Sequence, residues 1–231
     1  MKTKIFCDIA DLNQIIKFNR KKIVRGFTTN PTLVRKAGAK NYKNYCKKIL
    51  DKTKKPVSIE VFGDDEDSMI SQGIKISKWG KNVYVKIPVV NSKGKFMGKV
   101  LSYLSKKKIK INITAVYSSS QTKKILKKVG IKSDIIISIF AGRLADKGID
   151  PTPEFNESIR LIKKYKNTKI LWASTREPYN YIQAKKINCH LITIPPNMIT
   201  KIENFGASKN QLSIDTVKNF LTDSKKSNFK L

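Results

Sequence analysis

The sequence predicts an α/β protein built as a single (β/α)8 TIM barrel with extra C-terminal helices, and three observations carry that prediction. Short runs rich in Val, Ile and aromatic residues recur eight times along the 231 residues. Stretches with helix-capping signals separate them, which is the order of a parallel sheet covered by helices. No composition break or linker interrupts the alternation, so residues 1–231 read as one domain with a helical tail over about 196–231. An open doubly wound sheet is the rival, but no glycine-rich phosphate loop follows the first strand.

The elements follow in order. Lys4-Ile5-Phe6-Cys7 is a short apolar strand ending at Asp8, and Asp11 opens a helix that runs to Phe18. Ile23-Val24-Arg25-Gly26-Phe27 is the second strand. Asn30 before Pro31 is disfavoured from helical angles, so a sharp turn precedes a helix over 32–50. The third strand covers 56–62, and the helix after it is the best marked. Asp64, Asp65, Glu66 and Asp67 sit at its positive end, Lys75 and Lys78 near its negative end, and Gly80 just beyond.

Val83-Tyr84-Val85-Lys86-Ile87-Pro88-Val89-Val90 is the fourth strand, too densely β-branched and aromatic for a helix. A helix over 96–106 and a fifth strand over 108–114 follow, then a helix over 121–129 ended by Gly130. The sixth strand is 135–140; a longer loop leads to a helix over 153–165 and a seventh strand over 168–173. A helix over 178–186, an eighth strand over 189–194 and helices over 197–203 and 213–221 complete the chain.

The net charge of +31 raises the question of a nucleic-acid or anionic-membrane partner. Its basic runs, such as Arg20-Lys21-Lys22 and Lys106-Lys107-Lys108, are scattered and fall at helix ends, without interleaved aromatics in one segment. Solvated lysine-rich faces are therefore expected, and nucleic acid is not the expected partner. Cys7, Cys46 and Cys189 form no C-x-x-C pair, so neither a disulfide framework nor a metal site is expected. No apolar stretch has the roughly 20 residues needed to span a bilayer and no signal-peptide core is visible, so the expected location is the cytoplasm.

Lys86 organises the functional reading. An ammonium group inside an interior strand is costly to keep charged, so part of it is expected as the free amine, a nucleophile towards carbonyls. In a barrel the active site lies at the C-terminal strand ends, where Asp8, Thr29, Asn30, Glu60, Asn112, Thr114, Ser138, Arg143, Ser174 and Arg176 would gather around Lys86. One amine, two carboxylates, neutral hydrogen-bonding groups and two guanidiniums equip a site for Schiff-base chemistry on a phosphorylated sugar. Duller roles exist for each alone: a helix cap for Asp8, an ion pair for Glu60, surface cations for the arginines, core packing for Phe140. The single histidine, His190, is expected packed near the base of a strand.

These residues resemble a known family. Gly26-Phe27-Thr28-Thr29-Asn30-Pro31-Thr32-Leu33 is similar to the G-x-T-T-N-P-[ST]-[LI] signature of transaldolases, and Val83-Tyr84-Val85-Lys86-Ile87-Pro88 to their V-x-[VI]-K-[VIL]-P segment with the Schiff-base lysine. Asn112-Ile113-Thr114, Ser138-Ile139-Phe140-Ala141-Gly142-Arg143 and Trp172-Ala173-Ser174-Thr175-Arg176 match in the same order. The resemblance implies a barrel without metal or cofactor that transfers a dihydroxyacetone unit from a ketose phosphate to an aldose phosphate, as in the pentose phosphate pathway, within a homo-oligomer. It implies Lys86 as nucleophile, Asp8 as acid/base, and Glu60 with Thr114 as the water-handling pair. Thr29, Asn30, Asn112, Ser138 and Phe140 would line the substrate, with Arg143, Ser174 and Arg176 on its phosphate. Glu60 and Phe140 side with transaldolases rather than the related fructose-6-phosphate aldolases, which typically carry glutamine and tyrosine there. Two alternatives stand beside this: an aldolase releasing free dihydroxyacetone, and a non-catalytic basic barrel that binds RNA. Val90 replaces the family's threonine of K-V-P-x-T, and Asn91-Ser92 brings what reads as one extra residue before Gly94.

Overall fold

The computed structural model describes residues 3–227. Its first half runs β1 (Lys4–Asp8), α1 (Leu12–Asn19), β2 (Val24–Thr28), α2 (Pro31–Lys36), α3 (Tyr42–Asp51), β3 (Val57–Glu60), α4 (Glu66–Ser77), β4 (Val83–Pro88) and α5 (Gly98–Lys106). The second half runs β5 (Ile111–Val116), α6 (Ser119–Leu126), β6 (Ile135–Phe140), α7 (Ala141–Ala145), α8 (Thr152–Leu161), β7 (Thr168–Ala173), α9 (Tyr179–Lys186), β8 (Leu191–Ile194), α10 (Pro196–Glu203) and α11 (Lys209–Ser227). The eight strands close into a barrel in sequence order, and every neighbouring pair is parallel, β1 with β8 included. The expected (β/α)8 architecture is the one observed.

Boundaries differ where local backbone chemistry overrides hydrophobic pattern. The helix expected over 32–50 is two: Gly38 takes φ +82°, ending the first, and the Asn41 side chain caps the second by accepting from Asn44 N. Lys108 also adopts a positive φ of 58°, which turns the chain and delays β5 to Ile111. α7 occupies what read as loop, and α11 is far longer than expected, with none of its residues buried.

Two apolar layers hold the barrel. Strand residues such as Ile5, Val24, Val85, Ile113, Ile137 and Ile170 face outward and pack under the helices on Ile15, Met69, Leu101 and Phe155. Inside the barrel a separate cluster, Phe6, Tyr84, Ile136, Leu171, Ala173 and Leu191, fills the lumen below the C-terminal mouth. Gly26 makes room for it: a Cβ there would lie 2.5 Å from the Phe6 ring. Fully burying a side chain of this size contributes roughly 1.5–3 kcal/mol, so the plug is an integral part of the core.

Candidate active site

At the C-terminal mouth, a cavity of about 280 Å³ is lined by residues from the ends of seven strands, Asp8, Lys86, Asn112, Ser138 and Ser174 among them. Its position follows from register. Glu60 pairs with Lys86 across β3 and β4, and Lys86 with Asn112 across β4 and β5, so three functional side chains stand abreast. Lys86 Nζ donates to Glu60 Oε2 at 3.0 Å and to the Thr29 carbonyl at 3.3 Å. The lysine side chain retains 12% exposure and Glu60 21%, so the amine is not stranded in hydrocarbon as the strand pattern alone suggested. It is paired, and it opens onto the cavity. Glu60 stands beside Lys86 and is itself fixed by Tyr42, whose hydroxyl donates to the Glu60 carbonyl at 3.0 Å and accepts from its N–H at 3.2 Å.

Asp8 reaches the cavity from β1. Burial pushes its carboxyl above the usual range, while a hydrogen bond from Thr28 and the charge of Lys86 pull it back, and the charge of Glu60 adds to the rise. The Thr28 hydroxyl donates to Asp8 Oδ1 at 2.6 Å, and Thr193 Oγ1 lies 2.5 Å from Thr28 Oγ1. A hydroxyl has one proton, so with Thr28 committed to Asp8 it is Thr193 that donates to Thr28.

The neutral groups are arranged for different tasks. Thr114 lines the cavity with a buried hydroxyl that has no hydrogen-bond partner, an orphan aimed where a water or substrate oxygen would sit. Ser138 Oγ donates to Asn112 Oδ1 at 2.6 Å, and Asn112 Nδ2 donates to Ser58 Oγ at 2.9 Å, which holds the Asn112 amide in one orientation. Asn30 caps α2 by accepting from Leu33 N at 2.8 Å and leaves its amide N–H groups to the cavity. Thr29 is not where the sequence reading put it. It is fully buried, its hydroxyl is spent on the Ser58 carbonyl, and the residue lining the cavity is Thr28.

Opposite the lysine lies a cationic corner. Ser174 holds a left-handed φ of 64°, and its carbonyl approaches α7 so closely that a Cβ on Gly142 would be 1.7 Å away. This contact seats Arg143 and Arg176 on one rim. The Arg143 guanidinium lies 5.6 Å from the Phe140 ring centroid, while Arg176 is engaged by Asp146, with Nε donating at 2.8 Å. The sequence reading missed Asp146, Tyr42, Thr28 and Thr193. Asp146 had a signal, an acidic residue three positions after Arg143, whereas Tyr42 lies on a helix start with none.

The three cysteines are buried and unpaired, and burial pushes their thiols up, so none is a thiolate nucleophile at neutral pH. His190 sits at the base of β8, partly buried as expected, far from this mouth. Among the described residues no group of three His, Cys, Asp or Glu side chains is placed to hold a metal ion, and no helix is long and apolar enough to cross a membrane.

Fold and site together define a (β/α)8-barrel enzyme with a lysine and carboxylate centre at its catalytic mouth. The fold alone is shared with a dihydrodipicolinate synthase structure, at TM-score 0.60, 13% identity and coverage of 87% of this chain and 72% of that one. The family model described as transaldolase/fructose-6-phosphate aldolase matches residues 5–231, and the chain belongs to that family. A probable transaldolase from Sulfurihydrogenibium sp. (strain YO3AOP1) is 36% identical over 229 residues, covering 95% of each chain. One from Nitrosopumilus maritimus (strain SCM1) is 34% identical, covering 95% of this chain and 94% of the relative.

Proposed function

We propose that the protein is a transaldolase that moves a dihydroxyacetone unit from a ketose phosphate, such as fructose 6-phosphate or sedoheptulose 7-phosphate, to an aldose phosphate through a Schiff base on Lys86. The observation that carries this is Lys86, opening onto the cavity with Glu60 at 3.0 Å and Asp8 and Thr114 around the same space. Glu60 takes a proton from the ammonium, and the free amine adds to the donor carbonyl. The carbinolamine loses water to leave an iminium, with Glu60 and the orphan Thr114 hydroxyl handling that water. Asp8 then takes the proton of the hydroxyl β to the iminium carbon. The α–β carbon bond breaks, its electron pair enters the iminium as an enamine, and an aldose phosphate leaves. The acceptor aldehyde reacts in reverse: the enamine carbon attacks it, Asp8 returns the proton to the new alkoxide, and water releases Lys86. Asn30, Asn112, Ser138 and Phe140 line the substrate, and Arg143, Ser174 and Arg176 receive its phosphate, with Asp146 bonded to Arg176 beside them.

Borohydride added with fructose 6-phosphate should fix the sugar covalently to Lys86, read by peptide mass; an active, folded sample with Lys86 unmodified would overturn the mechanism. Turnover of fructose 6-phosphate should require erythrose 4-phosphate as acceptor, and release of free dihydroxyacetone without it would mark an aldolase instead. Assembly as a homo-oligomer completes the proposal: α11 exposes Leu212, Ile214, Val217, Phe220 and Leu221, an apolar set that a second copy would cover. A monomer in analytical ultracentrifugation at micromolar concentration would refute that part. Three unpaired thiols suit a reducing cytoplasm.

A further inference from the structure

Many of the lysines scattered along the chain gather at one end of the barrel. Every strand of a (β/α)8 barrel begins, and every helix of its outer ring ends, at one face, the end opposite the catalytic mouth. Many carboxylates lie at the opposite end, where Asp64 to Asp67 precede or open α4 and Asp146, Asp150 and Glu154 lie between β6 and the first turn of α8, while Asp51, Asp134 and Glu203 remain at the base. Favourable interaction with helix dipoles accounts for last-turn lysines such as Lys48, Lys75 and Lys106. It does not account for Lys4, Arg25 and Lys169, which are the first or second residues of strands β1, β2 and β7.

These three cations surround a cavity of about 140 Å³ in the lower mouth of the barrel, roofed by Phe6, Tyr84, Ile136 and Leu191. That layer is ordinarily filled by bulky branched residues. No carboxylate lines the cavity, and none of the three makes an ion pair among the described residues. Two neighbours feel their positive charge, since after burial Lys169 further lowers the His190 imidazole and Arg25 further lowers the Lys55 ammonium, while Tyr84 in the roof feels the Asp134 carboxylate instead. A second cavity of about 450 Å³ shares Lys4 and Arg25 and adds Lys22. A third, of about 460 Å³, shares Pro56 and Tyr84 and adds Lys54, Lys81 and Lys110, with Asp51 its one carboxylate.

We propose that these three basal cavities, which share lining residues, together form a groove that binds single-stranded nucleic acid through its phosphate backbone, separately from the sugar chemistry at the other end. Cations set around small adjoining concavities fit the phosphates of one flexible strand better than a wide duplex. A membrane surface fits less well, because no exposed large apolar side chain lines the groove to enter a bilayer. Phe6 and Tyr84 are buried, so bases have no platform there and binding is indifferent to sequence.

The test is fluorescence anisotropy of a labelled 20-nucleotide oligouridylate against the full chain over a salt series. The triple variant Lys4→Glu, Arg25→Glu, Lys169→Glu is compared with Lys40→Glu, Lys43→Glu, Lys93→Glu, which makes the same change in net charge on exposed residues toward the catalytic side. The basal triple should weaken binding by at least about 30-fold at 0.1 M salt and make the slope of log K against log[salt] shallower by about 2, the control by less than about threefold. Circular dichroism and sugar turnover confirm that each variant is folded. Equal weakening by both triples would show net charge alone at work and overturn the site, as would failure of the parent protein to bind. Capture on phosphatidylglycerol vesicles that depends on the basal triple, with no RNA binding, would overturn it in favour of a membrane surface.

Discussion

The cavities at the two ends of this barrel pair their cations to different degrees. At the catalytic mouth Lys86 has Glu60 and Arg176 has Asp146, with Arg143 forming no ion pair among the described residues; at the base Lys21 has Glu203, but the cavity cations Lys4, Arg25 and Lys169 form none. Glu60 gives the Lys86 ammonium a carboxylate acceptor within hydrogen-bond distance, whereas Asp146 only orients the Arg176 guanidinium, which keeps its proton. Unpaired cations crowded together raise the potential of a surface and invite an anion from outside. Where a cation lines a cavity, the presence or absence of a neighbouring carboxylate separates the Lys86 site from the basal one.

The comparison breaks most readily at Lys86. Lys86→Ala should lower transaldolase turnover at least about 10³-fold, with no sugar fixed by borohydride, while Lys169→Ala changes turnover little. Comparable losses from both would erase the distinction between the ends. Asp8→Asn should cost about 10²–10³-fold in kcat yet still allow borohydride to fix the donor sugar, since the amine is intact and only bond cleavage lacks its base. Gly142→Ala forces α7 away from the Ser174 carbonyl, so KM for a phosphorylated donor should rise about tenfold while an unphosphorylated analogue is handled as before. Thr28→Val gives the smallest change and the sharpest reading of sign. Burial holds the Asp8 carboxyl above its ordinary range, and Thr28 moderates that by stabilising the carboxylate. Removing the hydroxyl raises it further, so the acid limb of kcat/KM should move to higher pH; movement to lower pH would place the limb on another group.

Much of the site was legible because parallel strands write their faces into sequence with a period of two, and the barrel brings every strand end to one mouth. Asp8, Glu60, Lys86, Asn112 and Ser138 needed only that rule. Thr29 failed it by one position: at the end of β2 the period puts Thr28 inward and turns Thr29 back to the Ser58 carbonyl. Tyr42 and Asp146 come from helices and loops whose approach depends on tertiary packing, which no local pattern encodes. The split between α2 and α3 did have local marks, Gly38 for a left-handed end and Asn41 for a new cap, outweighed by an apolar pattern that runs through both. The departures at Val90 and Asn91-Ser92 also acquire a place. Asn91 and Ser92 both bond Asp64 at the start of α4, while Val90 bridges to Phe96, so the extra residue is absorbed in a pinned loop beside the site.

Phe6, lying across Gly26, divides the lumen into two chambers. A closed plug of hydrocarbon between them means that water, protons and counterions at one end have no internal route to the other. Substitutions in the upper chamber and in the lower one should therefore add without epistasis, and a breeder of new catalysts could randomise the mouth of this barrel while leaving its base as an unaltered handle.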